Sequence, residues 1–166
     1  MNALFIGRFQ PFHKGHLIVL QRLSTQYDGI IIGIGSSQYH DTTENPFSSE
    51  ERVQMITQSL NDVGIHSYQI IPITDIHDPP HWVDHVCSLV PDFDVVIANN
   101  HLTRKLFSEK GYKVKGTEYF NRKQYSGKEI RRRMINNEPW KESVPTAVVK
   151  IIQNTHGIER LKHLSS

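Results

Sequence analysis

Apolar residues along the chain fall into two alternating rhythms. Short runs rich in apolar residues, "ALFI" (3–6), "GIIIGI" (29–34), "YQIIPI" (68–73), "DVVIA" (94–98) and the shorter "YKVK" (112–115), read as strands, the second rich in β-branched side chains. Between them lie stretches of helical period. Leu17, Leu20 and Leu23 recur through "KGHLIVLQRLSTQ" (14–26), and Val53, Ile56 and Leu60 line one face of "SSEERVQMITQSL" (48–60). Ser48 and Glu51 form a capping-box pattern at the start of that second helix. "PPHWVDHVCSLV" (79–90) begins on prolines, and "HLTRKLFSEKG" (101–111) ends on Gly111. "SGKEIRRRMINN" (126–137) and "PTAVVKIIQNT" (145–155) read as two closing helices. Strand–helix alternation with largely apolar strands predicts an α/β protein, a doubly wound parallel sheet of about five strands with helices on both faces. Ligands bind such sheets beyond the carboxyl ends of the strands, which makes every loop after a strand a candidate.

Composition narrows the class. At 166 residues the chain fits one domain, expected over 1–166 with a helical segment from about 126 to 166. Such a chain buries roughly two-thirds of its unfolded surface. Mean hydropathy is −0.45, and the longest apolar run, "GIIIGIG", is far short of the ~18 residues a membrane span needs. "MNALFIGRF" lacks the basic and long apolar regions of a signal peptide, and Cys87 stands alone, so a cytoplasmic setting is expected. A net charge of +2 does not imply nucleic-acid binding, although ten histidines would add charge at acid pH.

The first loop after a strand holds "GRFQPFHKGH" (7–16). Two glycine-rich phosphate motifs fail. Gln38 stands where a third glycine would complete G-x-G-x-x-G after Gly33 and Gly35, and Thr117 stands where a P-loop lysine would follow Gly111 and Gly116. His13 and His16 leave three readings open: two of the three or four ligands of a metal site, solvent-facing turn residues, or donors to a phosphate. The phosphate reading uses the most residues. Gly7 allows close backbone approach, Pro11 stiffens the loop, and Gly15 opens a helix where a side chain would block a nucleotide. Free N–H groups at that helix start favour an anion, and Arg8 adds a permanent bidentate contact. The positive helix end opposes a full charge on His16, which suits a neutral or weakly protonated donor.

"YSGKEIRRRM" (125–134) repeats this logic late in the chain. Ser126 is an N-cap candidate with Glu129 at the third position after it, and Gly127 permits close approach. Arg131, Arg132 and Arg133 point different ways around a helix, so one faces a ligand while another faces solvent. By itself such a run reads as a solvated basic face or a nucleic-acid patch. Paired with the first loop, it suggests a triphosphate held between two helix starts.

"HKGH" (13–16) and "SGKEIR" (126–131) together resemble the nucleotidyltransferase superfamily marked by HxGH and SGxxxR. "GRFQPFHKGH", "IGSSQ", "NPFSSEER", "LFSEKGY" and "YSGKEIRRRM" are similar to archaeal-type nicotinamide-nucleotide adenylyltransferases over nearly the whole chain. Glu50 departs from the family's glycine, which bears on local loop geometry, and Tyr125 replaces the isoleucine common elsewhere in the superfamily. The resemblance implies a Rossmann-like fold and direct adenylyl transfer from ATP to nicotinamide mononucleotide (NMN), giving NAD and pyrophosphate. It implies catalytic roles for His13, His16, Arg8 and Arg131, and an ATP site at Gly7, Phe9, Gly15, Gly35, Ser36, Asn99, Ser126 and Gly127. It places Asp75, Ile76 and Trp82 beside NMN, with the Trp82 ring stacking on the pyridinium or else packing helix against sheet. Arg52 is expected to be a structural ion-pair partner rather than a ligand. Mg²⁺ is expected to bridge the ATP phosphates without a dedicated protein cluster. A homo-oligomer is implied, with a hexamer as one form, and "GIERLKHLSS" (157–166) docks on a neighbour or frays. Two rivals remain: the same fold acting on another phosphate acceptor (phosphopantetheine, FMN or a polyol phosphate), and a non-catalytic nucleotide or RNA module using "RRRM" and "NRK" (121–123).

Overall fold

The computed structural model describes residues 1–117 and 125–166. Five parallel strands, β1 (Asn2–Gly7), β2 (Gly29–Ile34), β3 (Tyr68–Pro72), β4 (Val95–Ile97) and β5 (Val114–Lys115), pair in the order β3-β2-β1-β4-β5. This is the Rossmann-like doubly wound sheet that the alternation predicts, and the strand order reverses between β1 and β4. The fifth strand is shorter than "YKVK" suggests. Tyr112 instead closes the preceding helix, donating its N–H to the Phe107 carbonyl at 3.1 Å while Gly111 takes a left-handed φ of 87°.

Alternation along each strand sorts the core onto two faces. Ala3, Phe5, Ile30, Ile32, Ile34, Val95 and Ile97 point to one side. There they meet α1 (Lys14–Gln26), α2 (Ser49–Asp62), α5 (Gly127–Ile135), α6 (Thr146–Asn154) and α7 (Gly157–Ser165). Leu4, Ile31 and Val96 point to the other, against Val83 and Val86 of α3 (Pro79–Leu89) and Phe107 of α4 (His101–Glu109).

The predicted Ser48–Glu51 capping box forms, with reciprocal bonds of 3.1 and 2.9 Å. Glu50 is the exposed second residue of α2, where a carboxylate complements the positive helix end, so its departure from glycine distorts nothing. Residues 157–165 do not fray. They form α7, which buries Leu161 and joins Arg160 to Glu51 of α2 at 2.9 Å. Among the described residues no helix is long and apolar enough to cross a membrane.

Candidate active site at two facing helix starts

The loops after β1, β2 and β3 each hold a non-glycine residue in the left-handed region: Phe9 at φ 55°, Ser36 at 50° and His77 at 53°. Such conformations cost on the order of 1–3 kcal/mol each, and strained backbone of this kind clusters at functional sites. Here it sits at the carboxyl ends of the strands, where a parallel sheet places its ligand.

The loop after β1 enters α1 through an unusual cap. The His13 ring accepts the His16 N–H at Nδ1 (3.3 Å), and the His16 ring accepts the His13 N–H at Nδ1 (3.1 Å). Two histidines thus perform the reciprocal bonding of a capping box, their rings stacked with centroids 3.5 Å apart. An Nδ1 that accepts cannot carry a proton, so each neutral ring holds its hydrogen on Nε2. Burial enforces that state. It pulls His13 down to about 3, and burial together with His13 holds His16 well below its ordinary value. Both rings are uncharged Nε2–H donors at neutral pH.

α5 begins beside them. Ser126 caps it by accepting the Glu129 N–H at 3.1 Å. Glu129 does not reach back as a capping box would. Its carboxylate binds Arg132 (2.8 Å) and Arg133 (3.0 Å), which together pull it down to about 2. Arg132 also binds Glu138 at 2.6 Å, so two of the three consecutive arginines are committed to carboxylates. Arg131 alone turns inward, 9% exposed, donating to the Gln10 carbonyl at 2.7 Å. Residues 121–123, the "NRK" of the RNA reading, lie outside the described residues.

Gly15 and Gly127 let the two helix starts close on each other. A Cβ at Gly15 would lie 2.9 Å from His13 Cε1 and 3.1 Å from Tyr125 Cβ. The side chain excluded there would strike protein. A Cβ at Gly127 would lie 2.9 Å from Arg131 Nη1 and 3.1 Å from the Gln10 carbonyl. Gly7 underlies the Phe9 ring, and its carbonyl accepts the Gly35 N–H at 2.8 Å, joining the first two loops. The Phe9 ring is 1% exposed and packs edge-on against His16, so any contact Phe9 makes with a nucleotide runs through its main chain.

Arg52 departs from the expected ion pair. Its fully buried guanidinium donates to five carbonyls, those of Ser48, Arg8, Gly35, Ser36 and Tyr39, at 2.9 to 3.4 Å. Burial, then the charge of Arg8, lowers it to about 10. Burial and Arg8 lower Arg131 as well. Three guanidinium groups therefore share one region, and among the described residues none of them forms an ion pair with a carboxylate. That arrangement is electrostatically uncomfortable without an anion.

A second recess opens at the carboxyl end of β3. Asp75, Ile76 and Trp82 line one cleft of about 230 Å³ with Pro79, Leu102 and Thr103. Trp82 meets Phe107 edge-on at 5.7 Å and also lines the cleft. Ser36 donates its hydroxyl to Asp75 at 2.7 Å, and the Gln38 amide pairs with the Asp75 backbone, so the loops after β2 and β3 are tied together. Asn99, after β4, holds both the N–H (2.8 Å) and the hydroxyl of Thr117, which occupies its side chain with protein partners.

Sequence reasoning missed Gln10 and Arg160. Gln10 is an amide between Phe9 and Pro11-Phe12, and a lone polar side chain inside an apolar loop signals a buried group that must find partners. It does: its amide exchanges both hydrogen bonds with the Phe47 backbone.

The family model described as cytidylyltransferase-like matches residues 4–133. The chain is 47% identical over 165 residues to the nicotinamide-nucleotide adenylyltransferase of Thermoplasma acidophilum, covering 99% of this chain and 92% of that one. It is 50% identical over 164 residues to the enzyme of the same name from Methanococcus vannielii, covering 99% and 95%. The chain belongs to the archaeal-type nicotinamide-nucleotide adenylyltransferases, within the cytidylyltransferase-like family. A crystal structure of a bifunctional NMN adenylyltransferase/ADP ribose pyrophosphatase from Francisella tularensis is 25% identical and superposes with a TM-score of 0.81. The match covers 98% of this adenylyltransferase-family chain but 52% of that one, so the chain spans about half the length of the bifunctional protein. A second structure of the Francisella protein, complexed with AMP and a manganese ion, is 24% identical with a TM-score of 0.78 and shares the fold.

Proposed function

We infer that this enzyme joins ATP and NMN into NAD by direct adenylyl transfer. The NMN 5′-phosphate, already ionised at neutral pH, supplies the attacking oxygen. A new P–O bond forms at the ATP α-phosphorus as the bond to the bridging oxygen of the β-phosphate breaks, and pyrophosphate leaves with the electron pair. No protein nucleophile or proton abstraction is needed, so catalysis is positioning and charge stabilisation. The observation that carries this reading is the juxtaposition of two helix N-termini with two Nε2–H donors and with Arg8 and Arg131.

In this reading His13 and His16 donate from Nε2 to the phosphates, and the charge that builds on them in the transition state strengthens both bonds. Arg8 and Arg131 neutralise phosphate charge. Ser126, Gly127 and the free amides of α5 cradle the β/γ end. Gly7, Gly15, Gly35, Ser36 and Asn99 shape the walls of the ATP site, with the main chain of Phe9. Asp75, Ile76 and Trp82 receive NMN, with the indole face against the pyridinium. Supporting this split, the apolar cleft and the cationic region lie at neighbouring strand ends of one sheet edge. Mg²⁺ brought in with ATP would neutralise phosphate charge without a dedicated protein cluster. The donor set suits a cation carried in this way, because the charged groups that face the site are arginines. Residues 1–166 act as one nucleotidyltransferase domain that 126–166 closes, since α5 supplies half of the phosphate site. A homo-oligomer in the cytoplasm follows from the resemblance.

Incubation of the protein with ATP, Mg²⁺ and NMN should yield NAD and pyrophosphate in equal amounts. Turnover on pantetheine phosphate, FMN or a polyol phosphate with none on NMN would reassign the acceptor. Nucleotide or RNA binding without turnover on any of them would contradict the enzyme reading.

A further inference from the structure

Gln10 is 3% exposed, carries no charge and sits between the two halves of the site. All three of its polar atoms beyond the amide N–H are engaged. Its Nε2 donates to the Phe47 carbonyl at 2.9 Å, and its Oε1 accepts the Phe47 N–H at 2.9 Å. This two-way clasp fixes both the place of the side chain and which way the amide faces. Its own carbonyl accepts Arg131 Nη1 at 2.7 Å. The segment it clasps is anchored from outside. Arg160 of α7 donates to the Pro46 carbonyl at 2.9 Å, lies 5.9 Å from the Phe47 ring centroid, and pairs with Glu51 at 2.9 Å.

An arginine offers five N–H donors in a rigid plane. Once one is tied to a fixed carbonyl, the plane of the others is set as well. There is little slack on the far side, because even a Cβ at Gly127 would lie 2.9 Å from Arg131 Nη1. Without such a tether a guanidinium on a long side chain loses rotamer entropy when it meets phosphate, and binding weakens accordingly.

We propose that Gln10 is a positioning residue for Arg131: its clasp on Phe47 holds the carbonyl that orients the guanidinium toward the triphosphate. This rests on Arg131 being a phosphate ligand, and the test separates the two claims.

The test is a double-mutant cycle read as ATP affinity by calorimetry without NMN, with NMN affinity measured alongside. Gln10→Ala should weaken ATP on the order of tenfold, within the range of direct couplings, and leave NMN unmoved. Arg131→Ala should weaken ATP by itself. In the Arg131→Ala background, Gln10→Ala should then change ATP affinity by less than about twofold, because the group it orients is gone. Additive losses, or equal losses for ATP and NMN, would make Gln10 merely structural and overturn the proposal. If Arg131→Ala leaves ATP affinity intact, the phosphate role of Arg131 fails, and the positioning claim falls with it. Should Gln10→Ala not fold, Gln10→Glu takes its place in the cycle, with the same results supporting or overturning the proposal. It keeps the acceptor for the Phe47 N–H and sets a carboxylate against the Phe47 carbonyl.

Discussion

His13 and His16 cap a helix with each other: each ring accepts the other's backbone N–H at Nδ1, and the two rings stack at 3.5 Å. The pairing does two jobs. It satisfies orphan amides of α1, and it leaves both Nε2–H groups as uncharged donors.

This relationship makes folding sensitive to acid. His13 falls from 6.5 to about 3 on folding, so its neutral form is the native one. A depressed pKa contributes stability that is complete above pH 6.5 and is lost progressively as pH falls toward 3. His13→Asn keeps a capping oxygen but does not titrate. Urea unfolding of both proteins should show the wild type losing stability relative to His13→Asn between pH 6.5 and 3. A difference that stays constant over that window would mean His13 titrates normally.

In the proposed reaction His16→Ala removes one donor to the transferring phosphate. Loss of a single preorganised donor costs on the order of 100- to 1,000-fold in turnover. The variant should keep the wild-type circular dichroism spectrum, since α1 retains its apolar face. A near-normal rate would strip His16 of its catalytic role.

Gly15→Ala should separate the two helix starts. The added methyl meets the His13 ring at 2.9 Å and Tyr125 at 3.1 Å, and overpacking of this kind costs about 1–3 kcal/mol. ATP affinity should fall with stability. Unchanged thermal unfolding and unchanged ATP affinity together would show that the helices do not close as described.

Arg52→Met removes a donor from five carbonyls; those of Ser48 and Ser36 keep a backbone N–H, whereas those of Arg8, Gly35 and Tyr39 lose their side-chain partner. Unsatisfied buried acceptors cost about 1–3 kcal/mol each before relaxation, so denaturant unfolding should shift by several kcal/mol. A shift below about 1 kcal/mol would mean that water replaces the guanidinium.

Trp82→Ala should raise the KM for NMN while leaving that for ATP in place. Cation–π contact on an indole contributes about 0.5–2 kcal/mol, equivalent to a change of about 2- to 30-fold. Equal effects on both substrates would point to Trp82 acting through its packing on Phe107.

Much of this was legible in the sequence, for identifiable reasons. Wholly apolar strands such as "GIIIGI" and periodic helices such as 14–26 carry their own signal, and so does the Ser48–Glu51 box. Pairing "HKGH" with "SGKEIR" pointed to the two helix starts that the fold brings together. What stayed hidden was nonlocal. The five carbonyls around Arg52 come from two separate loops, and carbonyls leave no trace in residue identity. Gln10 and Phe47 meet across 37 positions through backbone atoms. The fate of the last ten residues depended on Arg160 finding Glu51, 109 positions away. Which of three consecutive arginines turns inward was settled by the carboxylates of Glu129 and Glu138, not by the run itself.

In the proposed reaction the NMN phosphate attacks ATP directly, with no covalent adenylyl-enzyme between. The stereochemical course at phosphorus tests it most directly. With one diastereomer of ATP bearing sulfur on the α-phosphate, a single in-line displacement gives an NAD analogue inverted at that phosphorus. Phosphorus-31 spectroscopy of the product should show inversion, whereas retention would reveal a covalent adenylyl-enzyme and contradict direct transfer.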